Sequence, residues 1–402
     1  MNLTIPQPAL AAALAAAGRA IPAKPYNDIL KHARVTIAPS GIVITGSDQT
    51  LTIHATVDAQ SPDAEAFTVP HHRLKEVIDL LPPEAECVLA IEEREIPVSL
   101  PHPLPEGTAP PMVAYPYLTL TTGATRCSWQ CRPGEQYPAD QPAWEPAARI
   151  TLGAALVRQC LGAVATTMED GDDTDRPILE GTLWESDGAT LVMVAMDGRG
   201  LACYELPVTT DETPPFRFVM SRRTVTTLLA MLPGSGDVTF AFDERNRHCR
   251  IEMTGVTIHT DAIAGTYPEW RRFLEDTAAA AEVIIDRAEL LRAIRSLSAV
   301  DSHQLRMTYR DQALSLSMKD DDAKKPNQAT ATLDPTPDSS GAGRIAVDPR
   351  LLANLLRKLP SAAVTLRWHD LGTKPIHIIA DEIPGYRAIL MPLLVTEAIW
   401  QS

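Results

Sequence analysis

Three stretches of this chain carry residue types that could do chemistry. The run "EDGDDTD" at 169–175 crowds carboxylates together and invites a calcium reading. It lacks the ligand spacing and the closing glutamate of a helix–loop–helix calcium site, so it reads as a solvated loop. His71-His72 opens a helical run without partner ligands, which favours surface histidines over a metal site. Cys127 and Cys131 lie in an alternating, strand-like run, where a period of two puts both on one face as core residues. No GxGxxG, Walker, GxSxG or HExxH pattern occurs. The residues imply no enzyme, no metal and no cofactor.

A fourth stretch, "VAMDGRGLACYELP" at 194–207, sets an Asp-Gly turn and an arginine between two apolar runs. It has the look of an active-site loop without a nucleophile or base nearby. Its use must come from the elements around it.

Those elements repeat. "FTVPHHRLKEVIDLLP" from Phe67, "FVMSRRTVTTLLAMLP" from Phe218 and "IAVDPRLLANLLRKLP" from Ile345 each read as strand, polar boundary, one-sided helix and Leu-Pro stop. A second set precedes them: "LTIPQPALAAALAAAG" from Leu3, "ITLGAALVRQCLGAVA" from Ile150 and "IIDRAELLRAIRSLSA" from Ile284. Alternating runs such as "VTFAF" and "VTLRW" follow as strands. The chain therefore divides into three similar α+β domains, each with two amphipathic helices on antiparallel sheets. The expected boundaries are 1–145, 146–278 and 279–402, with a Pro-rich surface loop at 97–116 and an extension at 394–402.

Composition agrees with this reading. The chain has 402 residues, enough for several cores, and its six cysteines form no CxxC pair. They read as reduced core thiols of a cytoplasmic protein. The apolar N-terminal run is taken as a helix of the repeat, and no membrane span is expected.

Net charge is −15, which at first argues against nucleic acid. The predicted helices contradict the average: they hold twelve Arg or Lys and three Asp or Glu. A solvated helix face would use glutamate as freely as arginine. Helices gathered on one side would make that side basic, a pattern that tracks a phosphate backbone.

The repeat order, "SDGATLVMVAMDGRGLACYELP", "AGTYPEWRRFL" and "YRAILMPL" resemble the bacterial beta sliding clamps, the processivity subunits of DNA polymerase III. The resemblance covers residues 1 to about 393. It implies half of a six-domain ring closed by a homodimer, with helices lining a hole around double-stranded DNA. The expected partners are the polymerase III alpha subunit, the clamp loader, and other polymerases and repair factors that insert a short linear motif.

Carried over, the motif pocket comprises Leu179, Met196, Gly198, Arg199, Leu201, Pro268, Arg272, Phe273, Pro375, Ile376, Ile389, Leu390, Met391, Pro392 and Leu393. DNA contacts fall on Lys24, Arg176, Arg222 and Arg223. The dimer seam takes Arg126, Ser128 and Trp129 on one side and Arg295, Val300 and Asp301 on the other. Met196 replaces the family's threonine before Asp-Gly, and Arg199-Gly200 replaces its His-Arg. The tail "LLVTEAIWQS", with Ile399 and Trp400, runs on past the family's end. Two alternatives stand beside the clamp: a paralogue serving a dedicated polymerase or mobile element, and, remotely, an enzyme of unrelated fold.

Overall fold

The computed structural model describes residues 2–39, 41–59, 64–97, 110–138, 144–169, 175–208, 214–275, 279–300, 302–320, 327–369, 374–380 and 382–394. Four stretches singled out in the sequence lie wholly or partly outside them: 170–174 of the acidic loop, 98–109 of the Pro-rich loop, Asp301 and the tail 395–402. The chain forms two compact units. One is Met1–Pro146 with Val238–Asp243 and His248–Asp261; the other is Ala147–Asp237 with Glu244–Arg247 and Ala262–Ser402.

Six α-helices stand among the described residues: α1 (Gln7–Gly18), α2 (His71–Leu80), α3 (Ala154–Val164), α4 (Arg222–Met231), α5 (Arg287–Leu297) and α6 (Pro349–Lys358). Each follows a strand directly and buries one stripe, such as Leu290, Leu291, Ile294 and Leu297 of α5. Side-chain caps start three of them: Ser221 accepts from the Thr224 amide, Asp286 from Glu289, and Asp348 from Arg350 and Leu351. α2, α4 and α6 stop at Leu-Pro, where Leu81, Leu232 and Leu359 leave helical geometry at ψ of 148°, 129° and 122°. The ring of the following proline excludes the α conformation at these positions.

The repeat is also written in hydrogen bonds. The first residue of each first helix donates its amide to a carbonyl beyond the second helix: Gln7 to Ala85, Ala154 to Gly236, and Arg287 to Ala362. A side chain from the first helix then satisfies carbonyls at the end of the second. Gln7 Nε2 reaches Ile78 O at 2.8 Å; Arg158 reaches Leu229, Leu232 and Pro233 O; Arg287 reaches Leu356 and Ser361 O. Carbonyls at a helix end lack the full set of intrahelical donors, so these bonds hold each helix pair together. Arg158 and Arg287, two of the basic residues counted toward a phosphate-tracking stripe, are thus engaged structurally.

In the first unit, a four-stranded sheet runs Asn2–Pro6, Glu86–Pro97, Met112–Thr122, Thr125–Gln130, and a longer one pairs Val256–Asp261 with Leu51–Val57. In the second unit, a nine-stranded sheet joins Gly200–Pro207 to Tyr386–Leu390, and a four-stranded sheet runs Gln328–Leu333, Ala313–Lys319, Leu305–Arg310, Gly343–Val347. The fold is α+β with antiparallel pairing throughout.

Several expectations change. His71 is buried, not on the surface; its Nε2 lies 2.8 Å from Leu14 O and joins α2 to α1, and burial holds its imidazole below the ordinary value. Of the cysteine pair, only Cys131 is core, and it lies just past the strand; Cys127 is half-buried. The Pro-rich loop ends earlier than expected, because 112–116 already belong to a strand.

Five of the six thiols are buried, and burial pushes Cys131, Cys160 and Cys203 up to about 12. We expect a disulfide reagent at pH 8 to modify Cys127 alone in the native protein, and all six thiols in denaturant. Two or more fast native thiols would overturn this burial pattern.

Candidate functional site: an apolar cluster at the Asp-Gly turn

The Asp-Gly stretch folds as a hairpin between Thr190–Met196 and Gly200–Pro207. Asp197 Oδ1 accepts the amides of Arg199 (2.8 Å) and Gly200 (2.7 Å), and Gly198 turns the chain at φ +84°. That left-handed φ favours glycine. The turn is rigid, and its Arg199 side chain is 63% exposed beside Asp197.

Pairing decides what surrounds it. Met196 stands opposite Leu201, and Leu201 opposite Ile389, so the three share a face. They join Leu179, from the short helix Pro177–Glu180, and Phe273, from Trp270–Leu274, in one apolar cluster. Tyr267 and Trp270 complete its floor, which sequence reasoning missed although both stand in the quoted "TYPEW" run. The rim is cationic: Arg199, Arg272 over the Phe273 ring at 4.7 Å, and Arg176, whose Nη1 would lie 3.0 Å from a Cβ at Gly198. Met391 and Leu394 are exposed at one edge, with the Met391 amide on Arg199 O at 2.7 Å. Pro268, Pro375, Pro392 and Leu393 are half-buried, and Leu393 donates its amide to Ala346 O.

Two expected wall residues face elsewhere. Leu390 pairs with Gly200 and Ile376, and successive strand residues point to opposite faces, so Leu390 and Ile376 lie behind the sheet from Ile389. A Cβ on Gly200 would meet Ile389 O, Thr167 and Leu390.

The remaining predicted residues divide likewise. Lys24 and Arg223 are exposed. Arg176 pairs with Glu169 at 3.5 Å, and Arg222 donates to the Met168 and Glu169 carbonyls, so both gather at Glu169. Arg222 is therefore anchored within the chain. Arg126 is exposed and lies 3.7 Å from Glu92; Ser128 bonds Thr119, and Trp129 packs on the core. Arg295 is exposed, whereas Val300 is buried and has little surface to offer a partner.

The cluster itself is buried, with Leu179 and Leu201 1% and Ile389 3% exposed, so what the site presents outward is its edge: Met391, Leu394 and the arginine rim. Burial raises the Cys203 thiol and the Tyr267 phenol within the cluster, which keeps both protonated at neutral pH. Among the described residues no group of His, Cys, Asp or Glu is placed to hold a metal ion, and no helix is long and apolar enough to cross a membrane.

Residues 1–100 match the family model of the DNA polymerase III beta subunit N-terminal domain, and residues 151–269 that of its central domain. The beta sliding clamp of Escherichia coli K12 is 24% identical over 252 residues, a match spanning 62% of each chain. The fold resembles the Pseudomonas aeruginosa clamp in complex with griselimycin (TM-score 0.84, 17% identity) and the Bacillus subtilis clamp (TM-score 0.85, 15% identity). Each alignment covers 98% of this chain and 100% of the other. This chain belongs to the family of DNA polymerase III beta subunits, the beta sliding clamps, as a divergent member.

Proposed function

We propose that the protein is a cytoplasmic, non-catalytic sliding clamp of three modules, 1–145, 146–278 and 279–402. It closes as a homodimer around double-stranded DNA and tethers polymerases and related factors through the cluster. The observation that carries the reading is the apolar cluster of Leu179, Met196, Leu201, Phe273 and Ile389 under an arginine rim. With Met391 and Leu394 exposed at its edge, such a cluster suits the docking of a short peptide with apolar anchors. Tethering needs topology and effective concentration more than tight contacts to bases.

Two open sheet edges support the homodimer. Thr125–Gln130 ends one four-stranded sheet, and Gln328–Leu333 ends the other, with α5 and its Arg295 lying against it. Unpaired edges of this kind are templates for pairing with a second chain. A paralogue serving a dedicated polymerase is a second reading, favoured by Met196 and Arg199-Gly200 at the cluster.

The test is the salt dependence of duplex binding, with light scattering as the measure of assembly. Lys24→Ala with Arg223→Ala should flatten the slope of log affinity against log salt by roughly two units, about 0.9 per phosphate contact. Arg222→Ala should act mainly on stability, because its guanidinium serves two carbonyls. An unchanged slope in the double variant would remove these residues from the DNA wall. A protein that stays monomeric at micromolar concentration would remove the ring.

A further inference from the structure

Among the described residues one aromatic side chain lies in the open: Tyr26, 75% exposed. This chain is sparing with aromatics, at 5% of residues, and the other described ones are buried or half-buried. Tyr137, Tyr204, Tyr267, Tyr309 and Tyr386 are each at most 3% exposed. Exposure alone is ordinary for a single ring; what sets this one apart is how it is held.

The ring is mounted, not loose. Its hydroxyl donates to Gln49 Oε1 on the neighbouring turn. Gln49 holds a left-handed φ of +80°, which a residue with a side chain seldom adopts. The turn around it is pinned. Asp48 Oδ1 accepts the Thr50 amide, the Thr50 hydroxyl and the Leu51 amide at 2.7 to 2.9 Å, and Ser47 Oγ accepts the Gln49 amide. On the other side, Pro25 fixes the approach to Tyr26, and Asn27 caps the short helix Asp28–Lys31.

A lysine stands close in sequence. Lys24 is exposed two residues before the ring, the Asp28 carboxylate is ion-paired with Lys31 at 2.7 Å, and the Asp48 carboxylate is held in its own turn by three donors. A flat exposed π-face with a lysine two residues before it is the combination that single-stranded nucleic acid recognition uses.

We propose that Tyr26 is a stacking platform for an unpaired base where single strand meets duplex, with Lys24 holding the adjoining phosphate. The assignment rests on the DNA reading above and extends it. Within a duplex the base faces are occupied by stacking, so only an unpaired base offers its face to the ring.

The experiment compares a labelled blunt hairpin duplex with the same hairpin carrying a single-stranded overhang, by fluorescence anisotropy on the full chain. Tyr26→Ala should weaken overhang binding by roughly five- to a hundredfold, and leave blunt-duplex affinity and salt slope unchanged. Tyr26→Phe keeps the ring but loses the Gln49 bond, so it should show a partial loss. Lys24→Ala should weaken both DNAs and flatten both slopes. A 2-aminopurine at the first unpaired position should be quenched on binding to the wild type and not to Tyr26→Ala. Equal loss on both DNAs, or no loss on either, would overturn the platform while leaving the clamp in place. A wild-type protein that binds neither DNA would overturn the DNA reading, and this proposal with it.

Discussion

Gly385→Ala is expected to lower stability by more than about 4 kcal/mol, beyond the usual range for a single substitution. Gly385 has φ +85°, where a Cβ already costs about 1–2 kcal/mol. That Cβ would also stand 2.0 Å from the Glu205 carbonyl oxygen and 3.0 Å from its carbon. These are backbone atoms and cannot rotate away. Relief requires parting the two strands where the Glu205 amide donates to Gly385 O, adding about 1–3 kcal/mol for the broken bond. The same ladder carries Leu201 opposite Ile389 four residues on, so the cluster should loosen with it. Gly162→Ala in α3 is the control: nothing lies within 4 Å of its Cβ, and alanine should stabilise by about 0.5–1 kcal/mol. Urea unfolding followed by the fluorescence of buried Trp184 and Trp270 measures both. A Gly385→Ala protein within about 1 kcal/mol of wild type would show that the strands do not meet at this register.

Stability is also expected to fall between pH 6.5 and 4 through His259. Burial, then the neighbouring His54, Arg250 and His248, lower its imidazole from 6.5 to about 4. Its ring meets His54 edge to face at 5.3 Å. His54 bonds Thr45 Oγ1, and His248 bonds Asp261, so the nearby partners are occupied. A depressed histidine value means that the unfolded chain takes its proton first. The contribution is therefore whole above pH 6.5 and disappears as pH falls toward 4. The full shift corresponds to about 3.4 kcal/mol, and solvent screening of the half-buried ring leaves roughly 2. His32 and His71 are lowered by burial as well and act in the same direction. His259→Gln isolates the effect: its stability should fall less than the wild type's between pH 7.5 and 4.5. Parallel loss in both proteins would assign the pH response elsewhere.

The helices and their stops were legible because they rest on local rules. A period near 3.6, an Asp or Ser cap and a Leu-Pro stop act over a few residues. The hairpin around Asp197-Gly198 was legible for the same reason. What escaped was long-range. Ile389 and Leu390 look alike in sequence, and only the pairing with Leu201 and Gly200 puts one in the cluster and the other behind it. The helical arginines were legible as charge but not as partners. Arg158 and Arg287 find carbonyls about seventy residues away, and no local pattern announces a bond at that separation. His71 was misjudged because its acceptor, Leu14 O, belongs to another helix.

Val256–Asp261 with Leu51–Val57 in one unit, and Gly200–Pro207 with Tyr386–Leu390 in the other, join segments distant in sequence through main-chain ladders. Main-chain groups are the same whatever side chain they carry, so a joint of this kind is largely indifferent to mutation on its outer face. It also bears load in parallel, since sliding one strand past the other must break the bonds of the ladder together. A lineage built on such joints is free to drift in sequence and still inherit the bracket unaltered. Selection then bears on the few places where atoms cannot give way, such as Gly385 against Glu205.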